Sequence, residues 1–215
     1  MNLGGCRSRP GARTPGVDHS TLPGRLRVGY KGAVGHHDEV GHWTTVHSEQ
    51  LQDCRVFTVH RDLWRSPEGE EHPFFRIDAP DWVNVVPITE DGRVVFIRQF
   101  RHGAGKITLE IPGGMVDPGE SPATAAAREL LEETGYRGDA VESLGVVNPN
   151  PALFTNRCHT FVARNATQVA NITNTGRERT EVELIPADEV PERLLAGDIE
   201  HALVVAALYW WSLRG

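Results

Sequence analysis

The stretch GGMVDPGESPATAAARELLEETGY, residues 113–136, joins a glycine-rich turn to a helix with clear limits. Ser121 is a suitable N-cap, and Pro122 fits the first helical position, where a missing N–H costs nothing. Gly135 fits the residue that stops a helix in a left-handed conformation. The sequence therefore predicts one helix between Ser121 and Gly135, entered from a turn rich in glycine.

The predicted helix carries an unusual concentration of like charge. Glu129, Glu132 and Glu133 share one face because residues three or four apart on a helix are neighbours. Glu120 comes from the preceding loop, and Arg128 can offset one charge. One interpretation is a solvated acidic face, which costs only a few tenths of a kcal/mol per pair. The other is a site for Mg²⁺ or Mn²⁺, since these ions prefer carboxylate and carbonyl oxygens.

The same residues resemble a known signature, and this resemblance favours the metal site. Residues 114–136 are similar to the Nudix box, G-x5-E-x7-R-E-U-x-E-E-x-G-U, in which U is a bulky apolar residue. Every specified position matches, and Tyr136 at the final U is a mild departure in polarity. The matching residues are Gly114, Glu120, Arg128, Glu129, Leu130, Glu132, Glu133, Gly135 and Tyr136.

The resemblance implies an α/β/α sandwich with a mixed sheet and hydrolysis of a nucleoside diphosphate linked to a moiety X. It extends over roughly residues 43–213 and looks like the ADP-ribose pyrophosphatase branch. Pro151 stands about fifteen residues beyond the box, at the position of that branch's marker proline. The implied substrate is ADP-ribose, cleaved to AMP and ribose 5-phosphate with Mg²⁺ or Mn²⁺.

The family pattern also implies roles for individual residues. Glu129, Glu133 and Glu132 are the expected metal ligands, together with the backbone carbonyl of Gly113. Glu120 is expected either at a second metal or as a holder of the loop. Arg128 is expected to orient the glutamates.

A catalytic base and substrate contacts are expected outside the box. In this branch the base is a glutamate on a distant loop, and NTGRERTEVELIP (174–186) offers Glu178, with Glu181 as the alternative. Arg101, more than Arg98, matches the position that contacts phosphate, and arginine suits such contact. Glu110 is expected beside the metal site or as a partner of the box arginine. All of these can also be ordinary charged residues of loops and strand ends.

Two aromatic residues lie in strands that precede the box. Trp82 and Phe100 can each stack on an adenine ring, but aromatic side chains in strands belong more often to the core. Neither is therefore assigned to the site.

The composition sets broad limits on the protein. The chain has 215 residues and a formal net charge of −7, which argues against a nucleic-acid partner. Its three cysteines form no CxxC pair, which favours a reducing cytoplasm over a disulfide framework. No apolar run approaches the ~20 residues of a membrane span. The chain is therefore expected to be a globular protein of the cytoplasm, without a membrane partner.

The chain divides into three predicted parts. Residues 1–40 are expected to be a disordered tail, because they contain few large apolar side chains. Residues 41–80 are expected to form an antiparallel strand region that mediates homodimerisation, and 81–215 the hydrolase domain. Asp91-Gly92 between two apolar runs predicts a second hairpin, from 82–88 to 94–100. Strands in 141–186 and two closing helices are expected to follow.

Other functions remain open at this point. Related hydrolases act on GDP-mannose, NADH or diadenosine polyphosphates, and they share most of these marks. A non-catalytic protein that binds ADP-ribose and regulates transcription is a remote alternative, because such proteins usually have a broken box and an added winged helix. The intact box favours an enzyme whose partner is a small nucleotide sugar.

Overall fold

The structure is a computed structural model that describes residues 41–174 and 178–214. The predicted tail, 1–40, lies outside the described residues. Three helices are present in the described part: α1 (Pro122–Thr134), α2 (Val190–Ala196) and α3 (Ala202–Arg214). The strands are β1 (Thr44–Asp53), β2 (Thr58–Arg65), β3 (Glu71–Asp78), β4 (Trp82–Pro87), β5 (Arg93–Arg101), β6 (Lys106–Glu110), β7 (Gly113–Met115), β8 (Tyr136–Arg137), β9 (Val141–Val147), β10 (Cys158–Ala163), β11 (Thr167–Gln168) and β12 (Thr180–Pro186).

The strands form one N-terminal sheet, two larger sheets and a short pair. The N-terminal sheet has the order β1-β2-β3 and is antiparallel throughout. The four-stranded sheet has the order β7-β4-β10-β9, in which β4 and β10 are parallel. A three-stranded antiparallel sheet, β12-β5-β6, accompanies it, and β8 pairs with β11. The expected mixed strand pairing is therefore confirmed.

Helices cover both faces of the four-stranded sheet. Because side chains alternate along a strand, Val83 and Val85 of β4 point to one face, where they pack with Leu130 of α1. Val86 points to the other face and packs in a second core with Leu208 of α3. The order helix–sheet–helix confirms the predicted α/β/α sandwich.

The first helix begins and ends where the sequence predicts. The Ser121 hydroxyl accepts a hydrogen bond from the backbone N–H of Thr124 at 3.2 Å, which satisfies one of the free donors of the first turn. Gly135 has φ 74° and donates its N–H to the carbonyl of Leu131 at 2.8 Å. A Cβ at Gly135 would also collide with the carbonyl of Ala170, so only glycine fits this position.

The prediction of a hairpin between 82–88 and 94–100 is wrong. The turn itself forms, with Gly92 at φ 80°, but only one isolated bridge, Ile88 to Val94, joins the two segments. β4 is already paired with β7 and β10, and β5 with β12 and β6. Neither strand has a free edge to pair with the other, so the turn at Asp91-Gly92 does not join them into a hairpin.

None of the helices in the described part of the chain is long and apolar enough to cross a membrane.

Candidate active site

A cavity of about 780 Å³ opens beside the glutamate-bearing helix. Its wall combines charged residues of the box and of neighbouring strands with an apolar part. The charged residues on the wall are Arg101, Glu110, Asp117, Arg128, Glu129, Glu132 and Glu178. Cavities of this size and mixed lining are typical of small-molecule sites.

The most buried carboxylate of the cluster is that of Glu133. Glu133 is only 3% exposed, and the backbone N–H of Gly113 donates a hydrogen bond to its Oε2 at 2.9 Å. Burial raises the pKa of Glu133 to about 8; the Gly113 N–H opposes this rise, and Glu129 and Glu178 add to it. Burial also raises the pKa of Glu129, against the effect of Arg128. The surroundings therefore disfavour the charged forms of Glu133 and Glu129.

Arg128 gathers the remaining carboxylates. Its Nε and Nη2 donate to the two carboxylate oxygens of Glu120 at 3.1 and 3.0 Å. Its Nη1 donates to Glu129 at 2.8 Å and to Glu132 at 3.4 Å, and Nη2 also reaches the carbonyl of Met115 at 3.0 Å. These contacts support an orienting role for Arg128. They also connect Glu120, through Arg128, to the carbonyl of Met115.

The glycines of the turn bring backbone and carboxylate close together. A Cβ on Gly114 would overlap the carboxylate of Glu129, and one on Gly113 would collide with the carbonyl of Val83. Gly114 therefore lets β7 lie directly against α1, and Gly113 lets it lie directly against β4.

The donors fit a hard divalent ion in kind. The carboxylates of Glu129 and Glu133 lie beside the backbone of Gly114 and Gly113, and Glu132 shares the Arg128 guanidinium with Glu129. A cation would stabilise the charged forms of Glu129 and Glu133, whose pKa values are raised. Within 41–174 and 178–214, no group of three acidic, histidine or cysteine side chains is already arranged to hold a metal ion. Arg128 occupies oxygens of Glu129 and Glu132 in this arrangement.

On the cavity wall, the partly exposed Arg101 pairs with the buried Glu110. Arg101 donates from Nε and Nη2 to the two oxygens of Glu110 at 2.9 and 2.7 Å, and the Thr108 hydroxyl donates to the same carboxylate at 2.7 Å. Burial works to raise the pKa of Glu110, but these bonds hold it below its ordinary value. Glu110 contacts Arg101 rather than the box arginine.

Arg98 has a different environment. It binds Glu183 across the β5–β12 ladder at 2.5 Å, and it does not line the cavity. The preference for Arg101 over Arg98 agrees with this geometry.

The two candidate bases, Glu178 and Glu181, differ in their position relative to the cavity. Glu178 is exposed and lies on the cavity wall, whereas Glu181 faces Arg98 in the β12–β5 ladder and does not line the cavity. The Thr180 hydroxyl donates to the backbone carbonyl of Glu133 at 2.7 Å, which fastens the start of β12 to the end of α1. Residues 175–177 lie outside the described part.

Sequence reasoning missed several residues of the wall, among them two aromatic and two polar ones. Trp82 lines the cavity with Phe154, and their ring centroids are 5.8 Å apart. Asn84 follows Trp82 on the same face of β4, and His201 precedes α3. The strand pattern favours the core for Trp82, and the signal for a site is the polar Asn84 two residues later on the same face of the strand. Phe100 is 49% exposed and packs edge-to-face with His102, and neither residue lines the cavity.

Comparison with known proteins agrees with this geometry. The NUDIX domain matches residues 79–208. The chain is 35% identical over 149 residues to the CMP-5'-(N-acetyl-N-hydroxy-3-aminopropyl)phosphonate hydrolase of Streptomyces rubellomurinus, covering 68% of this chain and 71% of the relative. It is 27% identical over 146 residues to the ADP-ribose pyrophosphatase of Bacillus subtilis, covering 68% and 77%.

A solved structure described as an ADP compounds hydrolase has the same fold. Its TM-score is 0.71 at 25% identity, covering 80% of this chain and 94% of that one. The matched domain spans both the box and the strands that build the cavity. The chain therefore belongs to the Nudix family and is a hydrolase.

Proposed function

We propose that this hydrolase cleaves the diphosphate of ADP-ribose to give AMP and ribose 5-phosphate, with Mg²⁺ or Mn²⁺. The observation that carries the proposal is the cavity whose wall brings together Glu129, Glu132, Arg101 and the aromatic pair of Trp82 and Phe154. The names of the Bacillus subtilis relative and of the similar solved structure support an ADP-linked substrate.

Glu129, Glu132 and Glu133 would hold the metal, with the Gly113 carbonyl completing the set and Glu120 more peripheral. Bound there, a divalent ion supplies positive charge to the diphosphate oxygens and activates a water. Arg101 would bind a phosphate oxygen with the Nη1 edge that Glu110 does not use. Glu110 and Thr108 hold the guanidinium in that orientation.

Glu178 would take the proton from the attacking water. It lies on the wall with Glu129 and Arg101, and its charge contributes to the raised pKa of Glu133. A base must reach the water directly or through one further water. Glu181 is the alternative, but it lies beside Arg98 on β12.

Glu178→Gln is expected to lower kcat by ~10²-fold, the usual contribution of a general base. The matched change Glu181→Gln is expected to alter kcat by less than about 3-fold, because the exposed strand position supports no transition-state contact. Steady-state kinetics at saturating metal would measure both. The reverse order of effects would transfer the role to Glu181.

The substrate assignment is tested with a panel of nucleotides. Wild-type kcat/KM is expected to be highest for ADP-ribose among ADP-ribose, GDP-mannose, NADH and diadenosine polyphosphates, with Mg²⁺ and Mn²⁺ each supplied. Products identified by mass spectrometry should be AMP and ribose 5-phosphate. A preference of ~10-fold or more for another compound, about 1.4 kcal/mol in transition-state binding, would reject ADP-ribose and keep the hydrolase.

A cytidine nucleotide linked through a phosphonate is the second candidate substrate. The Streptomyces rubellomurinus relative is the more identical of the two compared, and its name gives such a compound. Adding a CMP-linked phosphonate to the same panel distinguishes the two possibilities.

A homodimer built from the β1-β2-β3 sheet is part of the proposal. All ten residues of β1 are exposed, and Trp43, Phe74 and Phe75 are 40%, 47% and 58% exposed. An unpaired edge with exposed aromatic residues is a surface that a second copy commonly covers. Light scattering at micromolar concentration is expected to give twice the monomer mass, and Phe74→Glu with Phe75→Glu should lower it. A monomeric mass for the wild type would refute the dimer.

A further inference from the structure

Two polar side chains, those of Asn84 and His201, line the cavity near the start of α3. Asn84 is 6% exposed, and its Nδ2 donates to the carbonyl of Leu203 at 3.2 Å. His201 immediately precedes α3, two residues before Leu203, and lines the same cavity. Asn84 and His201 therefore lie at the same end of the helix.

Each of these side chains carries an atom without a partner. Oδ1 of Asn84 and Nδ1 of His201 are shielded from solvent, and neither forms a hydrogen bond with any described residue. Buried polar groups in folded proteins are almost always hydrogen-bonded, so two such atoms beside one cavity need an explanation. Both residues lie on the cavity wall, where a bound molecule can supply the missing partner.

The missing partner is a group that both donates and accepts. Asn84 Oδ1 can only accept, while the neutral imidazole of His201 offers one donor and one acceptor nitrogen. Burial lowers the pKa of His201, which favours the neutral ring. When Nδ1 of His201 carries the ring proton, a hydroxyl matches both atoms, because it can donate to the amide oxygen and accept from the ring N–H. A phosphate, which has only acceptors at this charge, would leave Asn84 Oδ1 without a donor.

The rest of the cavity indicates which part of a nucleotide sugar carries that hydroxyl. Trp82 and Asn84 are two residues apart on one face of β4, a separation of about 7 Å. Trp82 and Phe154 offer ring surfaces that suit the flat, aromatic nucleobase. The polar end with Asn84 and His201 suits the sugar on the other side of the diphosphate.

We propose that Asn84 and His201 bind a hydroxyl of the sugar that the diphosphate links to the nucleotide, and so select nucleotide sugars among nucleoside diphosphate derivatives. The inference rests on the proposed function, because it takes the diphosphate to lie at the glutamate cluster. It adds two specificity-determining residues that the Nudix box does not contain.

The experiment compares two substrates that differ only in this sugar, ADP-ribose and the methyl ester of ADP. His201→Leu and Asn84→Leu replace each side chain by an apolar one of similar size. Each is expected to lower kcat/KM for ADP-ribose by ~10-fold or more, and to lower it for the methyl ester by a clearly smaller factor. His201→Asn, whose amide nitrogen can take the place of Nδ1, is expected to recover part of the loss.

His102→Leu is the matched control, because His102 is exposed and lies outside the cavity. Equal losses on both substrates, or no loss on either, would overturn the proposal. Calorimetric binding of ADP-ribose and the methyl ester in EDTA gives a readout that needs no turnover. If Asn84→Leu fails to fold, His201→Leu still tests the proposal, because it leaves the Asn84–Leu203 hydrogen bond in place.

The two proposals fail in distinguishable ways. If the wild type cleaves neither compound with Mg²⁺ or Mn²⁺, the proposed reaction is wrong. The sugar subsite is then tested by the ratio of the Kd for the methyl ester of ADP to the Kd for ADP-ribose. If this ratio is unchanged in both leucine variants, the proposed subsite is wrong.

Discussion

Glu133→Gln is expected to lower turnover by at least ~10²-fold while leaving the fold intact. The amide keeps the size of the side chain and one oxygen that can accept the Gly113 N–H bond, now 2.9 Å long. It removes the negative charge that we propose for metal binding. Circular dichroism and kcat at saturating Mg²⁺ and Mn²⁺ would measure the two halves of the prediction.

The same variant has an expected effect on stability without metal. The pKa of Glu133 is about 8 in the folded chain and 4.5 in the reference state. Between these values the folded state binds more protons at this site than the unfolded state does. The contribution of Glu133 to the free energy of unfolding is therefore full below about pH 4.5 and is lost as the pH rises through about 8. In EDTA, the wild type should lose more stability across this window than Glu133→Gln.

Glu129→Gln should behave in the same way, and the double variant should lose less than the product of the single losses, because both carboxylates would serve one ion. Glu142→Gln is the matched control, since Glu142 is exposed on β9 and does not line the cavity. Metal should raise the melting temperature of the wild type and of the control but much less that of Glu133→Gln. Near-normal turnover of Glu133→Gln would reject the metal assignment.

Arg128→Lys is expected to lower kcat by ~10²-fold, because misplacing catalytic groups by ~1 Å has effects of this size. Arg128 reaches Glu120, Glu129, Glu132 and the Met115 carbonyl at the same time. A lysine ammonium has the charge but not the planar fork, so it cannot span these oxygens together. The melting temperature should fall as well, since the charge cluster loses its shared donor.

Arg98→Lys is the matched control for Arg128→Lys. It makes the same chemical change at an arginine whose partner, Glu183, lies outside the cavity. Kinetics and metal titration of both variants would separate a general effect of lysine from an effect at the box. A loss of less than about 3-fold in Arg128→Lys would show that one positive charge suffices there.

The features that the sequence alone predicted correctly are short-range or lie within one motif. The limits of α1 at Ser121 and Gly135 follow from capping within a few residues. The shared face of Glu129 and Glu133 follows from helical periodicity. These features depend on backbone geometry between near neighbours, so no knowledge of the remaining chain is needed, and the family followed from the match to the box.

The tertiary structure decided what depends on partners far along the chain. β4 and β5 separate into two sheets because β10 and β12, more than 60 residues later, occupy their edges. Glu178 rather than Glu181 reaches the cavity because the Thr180–Glu133 bond fixes the start of β12 against α1. The strand pattern favours a core position for Trp82. Only the packing of α3 against β4, with the hydrogen bond from Asn84 to the Leu203 carbonyl, places Trp82 and Asn84 on the wall of a cavity. Such pairings are set by the competition of all segments for one core, which no local pattern contains.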